Sequence, residues 1–129
     1  MRANKARDTK PELCLRKALR RRGVPGYRLH WGKAPGKPDI SYPGRRLAIF
    51  VHGCFWHRCP HCSLPLPKSH VDFWRKKFDN NRERDNRKLE ALQRHGWKAL
   101  VFWECQINRD PDLCAEQVKK ALSTDKVGE

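Results

Sequence analysis

No apolar run in this chain approaches the roughly 20 residues that span a bilayer, so no transmembrane helix is expected. The N-terminus, Met1-Arg2-Ala3-Asn4-Lys5, lacks the apolar stretch that directs export. A reducing, cytoplasmic compartment is therefore the expectation, and disulfides are not. Acids are scarce: 14 Asp and Glu stand against 29 Lys and Arg, a net charge of +15. Apolar residues are also few, at 38%, and the mean hydropathy of −0.91 is a polarity that disordered chains share. The aromatics decide against disorder, because five Trp, five Phe and two Tyr can build a small core. There is no internal repeat, and 129 residues fit a single domain, 1–129.

The charge is unevenly spread. Residues 1–38 carry +10, residues 39–67 only +2, residues 68–103 +5, and residues 104–129 −2. A basic surface over the first two thirds points to an anionic partner, most commonly nucleic acid.

Periodicity predicts the order α-β-β-β-α-β-α, a mixed sheet flanked by helices. The first helix runs from about Pro11 to Arg22, with Thr9 and Glu12 at capping-box spacing and Gly23 as a stop. Leu13, Leu15 and Leu19 offer its apolar stripe, although Leu15 sits off the ideal face. Short strands are read at 27–31 and 39–42, and 46–51 reads as a buried central strand. Residues 52–69 read as an irregular loop. A second helix is expected from Val71 to His95, with Asp72 as N-cap and Phe73, Trp74, Phe78, Leu89 and Leu92 as burial candidates. Residues 97–103 form the strongest strand. A last helix, Pro111 to Leu122, is amphipathic through Leu113, Val118 and Leu122.

A proline-containing loop this long needs a clamp. Cys54-x4-Cys59-x2-Cys62 supplies three soft ligands from one segment, and zinc wants four. Cys105, just past the strongest strand, is one source of the fourth, and His61 is a competing ligand. Cys14 and Cys114 fall on helix patterns and read as small apolar residues. Asp39 stands after Pro38 at a strand start, a setting for a Mg²⁺ ligand in phosphodiester chemistry. Nucleases with a Pro-Asp…Glu-x-Lys pattern carry an acid and a lysine on the next strand, and this chain has neither there. Its substitutes are His52 and His57, whose imidazoles can take a proton from water near neutral pH.

His52-Gly53-Cys54-Phe55-Trp56-His57 resembles the signature of the very-short-patch-repair (T:G mismatch) DNA endonuclease family. The likeness continues in Asp8-Thr9-Lys10-Pro11-Glu12, Pro35-Gly36-Lys37-Pro38-Asp39, Phe73-Trp74, Asn81-Arg82-Glu83-Arg84-Asp85 and Gly96-Trp97…Trp103-Glu104-Cys105. It spans about residues 1 to 105. The resemblance implies an α/β, restriction-endonuclease-like fold with a structural zinc. It implies a Mg²⁺-dependent nick 5′ to the mismatched thymine left when 5-methylcytosine deaminates. Asp39 would bind Mg²⁺ with help from the Val51 carbonyl, His57 would activate water, and Asp85 would orient His57. His52 and Glu12 would complete the site, through metal-bound water or phosphate. Zinc would fall to Cys54, Cys59, Cys62 and Cys105, with His61 as the alternative ligand. Phe55, Trp56 and Trp74 would form a wedge that reads the mismatch. Arg82, Arg84 and Arg87 are phosphate-contact candidates, whereas Arg20-Arg21-Arg22 is read equally as solvated charge or DNA contact. The expected partners are mismatched double-stranded DNA, mismatch-repair proteins and a functionally paired cytosine-5 methyltransferase, with a monomeric enzyme sufficient for one nick. Family members carry a longer basic N-terminal segment, so weaker DNA grip is expected here. A nuclease with another DNA target and a silent zinc-dependent DNA-binding module are the competing readings. The joint presence of Asp39, His57 and Asp85 speaks against silence.

Overall fold

A computed structural model describes residues 9–62 and 64–127; the side chain of Trp56 lies outside the described residues, as does Asp8. A four-stranded mixed sheet has the order β1-β2-β3-β4. β1 (Arg28–Leu29) and β2 (Ile40–Tyr42) pair antiparallel, as do β2 and β3 (Leu47–His52). β3 then pairs parallel with β4 (Lys98–Trp103) in a six-residue register from Leu47↔Lys98 to His52↔Trp103. The parallel pair needs a crossover, supplied by α2 (Cys54–His57) and the long α3 (Val71–Arg94).

Strand alternation sorts the core into two layers. Leu47 and Ile49 face one side with Ile40, Tyr42 and Phe102, against α1 (Lys10–Arg21), α4 (Glu104–Arg109) and α5 (Pro111–Val127). Ala48 and Phe50 face the other, against Leu92 and Leu89 of α3. His52 continues this second set by its period-two position, which points it toward α3.

Several expectations change. Leu15 is fully buried, whereas Leu13 is 46% exposed, because α1 packs through Leu15, Ala18 and Leu19. Thr9 is the N-cap in extended conformation, but its side chain makes no capping bond. Glu12 is turned inward, buried, with Arg16 at 3.3 Å. The N-cap of α3 is His70, in left-handed conformation with φ 54°, and Asp72 instead sits in the first turn, where its charge suits the helix dipole. Phe73 is 60% exposed, while Phe78 and Leu92 supply the buried face. β1 is shorter than the 27–31 reading, since His30 leaves the strand at φ 47°. α5 buries Cys114, Ala115 and Val118 and leaves Leu113 exposed. Two short helices, α2 and α4, have no periodic signature in the sequence. α4 is started by Trp103, whose N–H donates to Gln106 Oε1 at 2.9 Å.

The arginine run at the end of α1 turns toward α5. Arg21 pairs with Asp112 at 2.7 Å, Arg22 with Glu116 at 3.2 Å, and Arg20 donates to the Tyr27 hydroxyl. Such exposed pairs contribute little stability each. They fix these side chains on the face opposite α3. The core layer predicts that Leu15→Ala costs about 2–5 kcal/mol in urea denaturation. Leu13→Ala is expected to change stability by less than about 0.5 kcal/mol.

Candidate active site and metal centre

The parallel register brings the ends of β3 and β4 side by side, so α2 and α4 start as neighbours. The Cys54 N–H at the head of α2 donates to Glu104 Oε1 at the head of α4, 3.2 Å away. Cys54, Cys59, Cys62 and Cys105 then converge, their sulfurs all within 4.8 Å of one another. Cys59 and Cys105 Sγ are 3.7 Å apart. A tetrahedron with Zn–S bonds of about 2.3 Å has edges of about 3.8 Å, so the spacing fits zinc and not a disulfide. The His61 N–H donates to Cys59 Sγ at 3.3 Å, whereas the His61 ring is outside the cluster. Burial pushes the Cys59 thiol up, but N–H groups of His61 and Cys62 more than offset it and leave the thiol below its usual range. Cys114, by contrast, is a core residue whose thiol burial pushes up to about 11, and Cys14 packs beside it, so both act as apolar groups.

One turn of α2 separates Cys54 from His57, so the cysteine cluster also holds the catalytic candidate. His57 Nδ1 lies 2.6 Å from Asp85 Oδ2 on α3. Burial would raise the Asp85 carboxyl, but the His57 hydrogen bond and the nearby positive charges outweigh it and leave it below the usual range. With Nδ1 engaged by a carboxylate, Nε2 is the nitrogen left for chemistry. His52 stacks flat on His57, with ring centroids 4.0 Å apart and planes 5° from parallel, and Trp103 meets its edge at 5.2 Å. Burial, with help from His57 and Lys88, pushes His52 down to about 4, so it is neutral at neutral pH. Its Nδ1 is buried without a hydrogen-bond partner among the described residues. Such groups are costly in a folded protein and concentrate at functional sites. His52, His57 and Asp85 place three possible ligand atoms within 4.8 Å.

Asp39 stands outside that trio. It extends β2 by one residue, opposite the end of β3, and its Oδ2 accepts the Val51 N–H at 2.7 Å. Burial raises its carboxyl above the ordinary value despite that bond and the charges of His30, Lys88 and His57. A half-buried carboxylate at a strand end supplies the hard oxygen that Mg²⁺ requires. Glu12 reaches this region from α1 through His30, whose Nε2 lies 3.7 Å from Glu12 Oε1 and 3.4 Å from an Arg16 guanidinium nitrogen. The His30 N–H donates to the Asp39 carbonyl at 3.1 Å. Sequence reasoning missed His30, Glu104 and Lys88 as parts of this neighbourhood. Only Glu104 carried a signal, its place between Trp103 and Cys105.

Phe55 and Trp74 meet edge-to-face at 5.6 Å, and both rest on the buried Phe78 ring. The Arg58 guanidinium sits 4.5 Å over the same Phe78 ring. Both wedge candidates are half-buried, and exposed Phe73 continues the aromatic patch. Arg82 and Arg84 are exposed on α3, and Arg87 pairs with Glu83 at 3.4 Å.

An α/β sheet carrying a cysteine cluster and a His–carboxylate pair at one strand end is the frame of a restriction-endonuclease-like protein. A family model described as DNA mismatch endonuclease Vsr matches residues 1–64. The chain is similar to the Type II nicking enzyme V.XorIIP of Xanthomonas oryzae pv. oryzae, 44% identical over 104 residues, covering 81% of this chain and 76% of that protein. It is 38% identical over 123 residues to the DNA mismatch endonuclease Vsr of Escherichia coli, covering 95% and 78% of the two chains. A third relative, the Type II nicking enzyme V.NmeAIP of Neisseria meningitidis, is 36% identical over 117 residues, covering 91% and 82%. The chain belongs to the Vsr DNA mismatch endonuclease family and is an endonuclease.

If the cysteine cluster holds zinc, elemental analysis of purified protein should find close to one equivalent. Cys59→Ser should lose it, together with the cooperative unfolding transition of the α2 region. Metal-free protein with an unchanged transition would refute the assignment.

Proposed function

We propose that this endonuclease nicks one strand of duplex DNA 5′ to the thymine of a T:G mismatch left by deamination of 5-methylcytosine. The observation that carries the reading is the 2.6 Å His57–Asp85 contact at the end of β3, beside Asp39. The nicking-enzyme names of the relatives agree with a single-strand cut. Those Type II names also suit a functional pairing with a cytosine-5 methyltransferase, and the same reading places the protein beside mismatch-repair proteins in the bacterial cytoplasm. One nick in an asymmetric lesion needs one protomer.

In this scheme Asp39, helped by the Val51 carbonyl, would hold Mg²⁺. The ion supplies charge neutralisation at the phosphate when bound. His57 takes the proton of the attacking water through Nε2, and Asp85 keeps its Nδ1–H fixed and stabilises the imidazolium that forms. His52, neutral and stacked against His57, offers a hydrogen bond without competing for that proton. Glu12 completes the site from α1, through water or phosphate. Zinc at Cys54, Cys59, Cys62 and Cys105 stays structural, because four protein ligands leave no open position. Phe55, Trp56 and Trp74 unstack the mismatch, and stacking returns roughly 1–3 kcal/mol per base. Arg82 and Arg84 contact phosphates flanking the nick.

The primary experiment incubates the protein with Mg²⁺ and matched, T:G and other mismatched duplexes. Nicking confined to T:G, lost in Asp39→Ala and on omission of Mg²⁺, is expected; cutting of matched duplex would redirect the reading to another DNA target. His57→Gln should slow the nick by about 10²–10⁴-fold with duplex binding retained. For the wedge, Trp56→Ala should lower nicking of mismatched duplex far more than general duplex affinity. Equal losses in both would count against it.

A further inference from the structure

The strand that follows Asp39 lacks the lysine that Pro-Asp…Glu-x-Lys nucleases carry there, yet the fold delivers one from elsewhere. Lys88 follows Asp85 by three residues on α3, so the two side chains share a helix face. It is half-buried, and with Phe50, His52, Asp85 and Leu89 it lines a narrow crevice under the sheet end. Its stem is held from the other side by the turn that presents Asp39. Gly36 has φ +76°, and a Cβ placed there would stand 3.1 Å from Lys88 Cβ and 3.3 Å from its carbonyl oxygen. Lys88 thus abuts the turn before Asp39 and shares the crevice with His52 and Asp85. Its positive charge is felt at all three groups. Among the described residues it makes no ion pair within 4.0 Å, while Arg87 beside it is paired on the outer face.

Resting on the endonuclease reading of this site, we propose that Lys88 is the cation that contacts the phosphate being cut. Two carboxylates, Asp39 and Asp85, border the place where a dianionic transition state has to form. A fixed ammonium group offsets their repulsion and stabilises the charge that develops on the phosphate oxygens. A lysine suits this position because its stem can lie against apolar Phe50 and Leu89 while its charged head stays near Asp85 and His52.

The test uses the mismatched duplex that the unmodified protein nicks. Lys88→Met keeps the stem against Gly36 and removes the charge; Lys88→Arg restores the charge. Single-turnover nicking should fall roughly 10- to 100-fold in Lys88→Met and recover in Lys88→Arg. Zinc content and thermal midpoint should stay unchanged. A second readout needs no turnover: binding without divalent ions to the same duplex, with either a phosphodiester or a neutral methylphosphonate at the nick position. Lys88→Met should change the affinity ratio of these two duplexes by about threefold or more, the signature of a direct charge contact. A ratio that does not move, or nicking within about twofold of the unmodified protein, overturns the proposal. If Lys88→Met does not fold, Lys88→Gln carries the same two measurements. A nick that survives Asp39→Ala overturns the site reading instead, independently of how Lys88 behaves.

Discussion

The parallel pairing of β3 with β4 is the constraint on which the rest of the molecule depends. Six residues in register set His52 opposite Trp103. Both strands therefore stop at one level, and the two short helices that follow begin as neighbours. Glu104 can then satisfy the first amide of α2, and Cys105 can meet Cys54 and Cys59. A slip of one residue would turn every side chain of β3 to the opposite layer. It would send His52 away from α3 and break the cysteine cluster together.

That arrangement joins the cysteine cluster to His57 by one helical turn. α2 has only four residues and no capping side chain of its own, so isolated it would not persist. The thiols fix its first residue, and Asp85 fixes its last through His57. The cysteine cluster and the His–carboxylate pair are thus two ends of a single short segment. Stacking places a second imidazole parallel to the first at 4.0 Å. Two cations at that separation would repel strongly, and burial settles which ring stays neutral. His52 keeps its neutral form, which in the proposed scheme leaves His57 as the ring that takes the proton.

Much of this was legible in the sequence, for identifiable reasons. The apolar run 47–51 and the Trp-rich 97–103 have the length and composition of buried strands. The cysteine spacing pointed to a clamp before any coordinates did. The failures fall where no period exists to read. α2 and α4 are shorter than two turns, so a repeat of 3.6 residues cannot appear in them. Leu13 and Leu113 looked like core residues because apolar character alone does not say which side of a helix a neighbour covers. Glu12 looked like half of a capping box, yet Arg16, one turn on, draws it inward. His30 and Lys88 were invisible because each is an ordinary residue whose place beside Asp39 is created by a turn and a helix distant in sequence. Site residues that lie on motifs are found early; those supplied by tertiary approach are not.

The pairing of α1 with α5 has a consequence for how the molecule meets its substrate. Arg21 and Arg22 face Asp112 and Glu116, so acids of α5 offset the cations at the end of α1 locally. On α3, Arg87 and Arg94 pair with Glu83 and Glu90, whereas Arg82, Arg84 and Lys88 make no ion pair among the described residues. Cations without an ion-pair partner therefore stand on the helix that carries Asp85. Such a surface would draw an approaching duplex toward the candidate site, and the pull would weaken as salt rises.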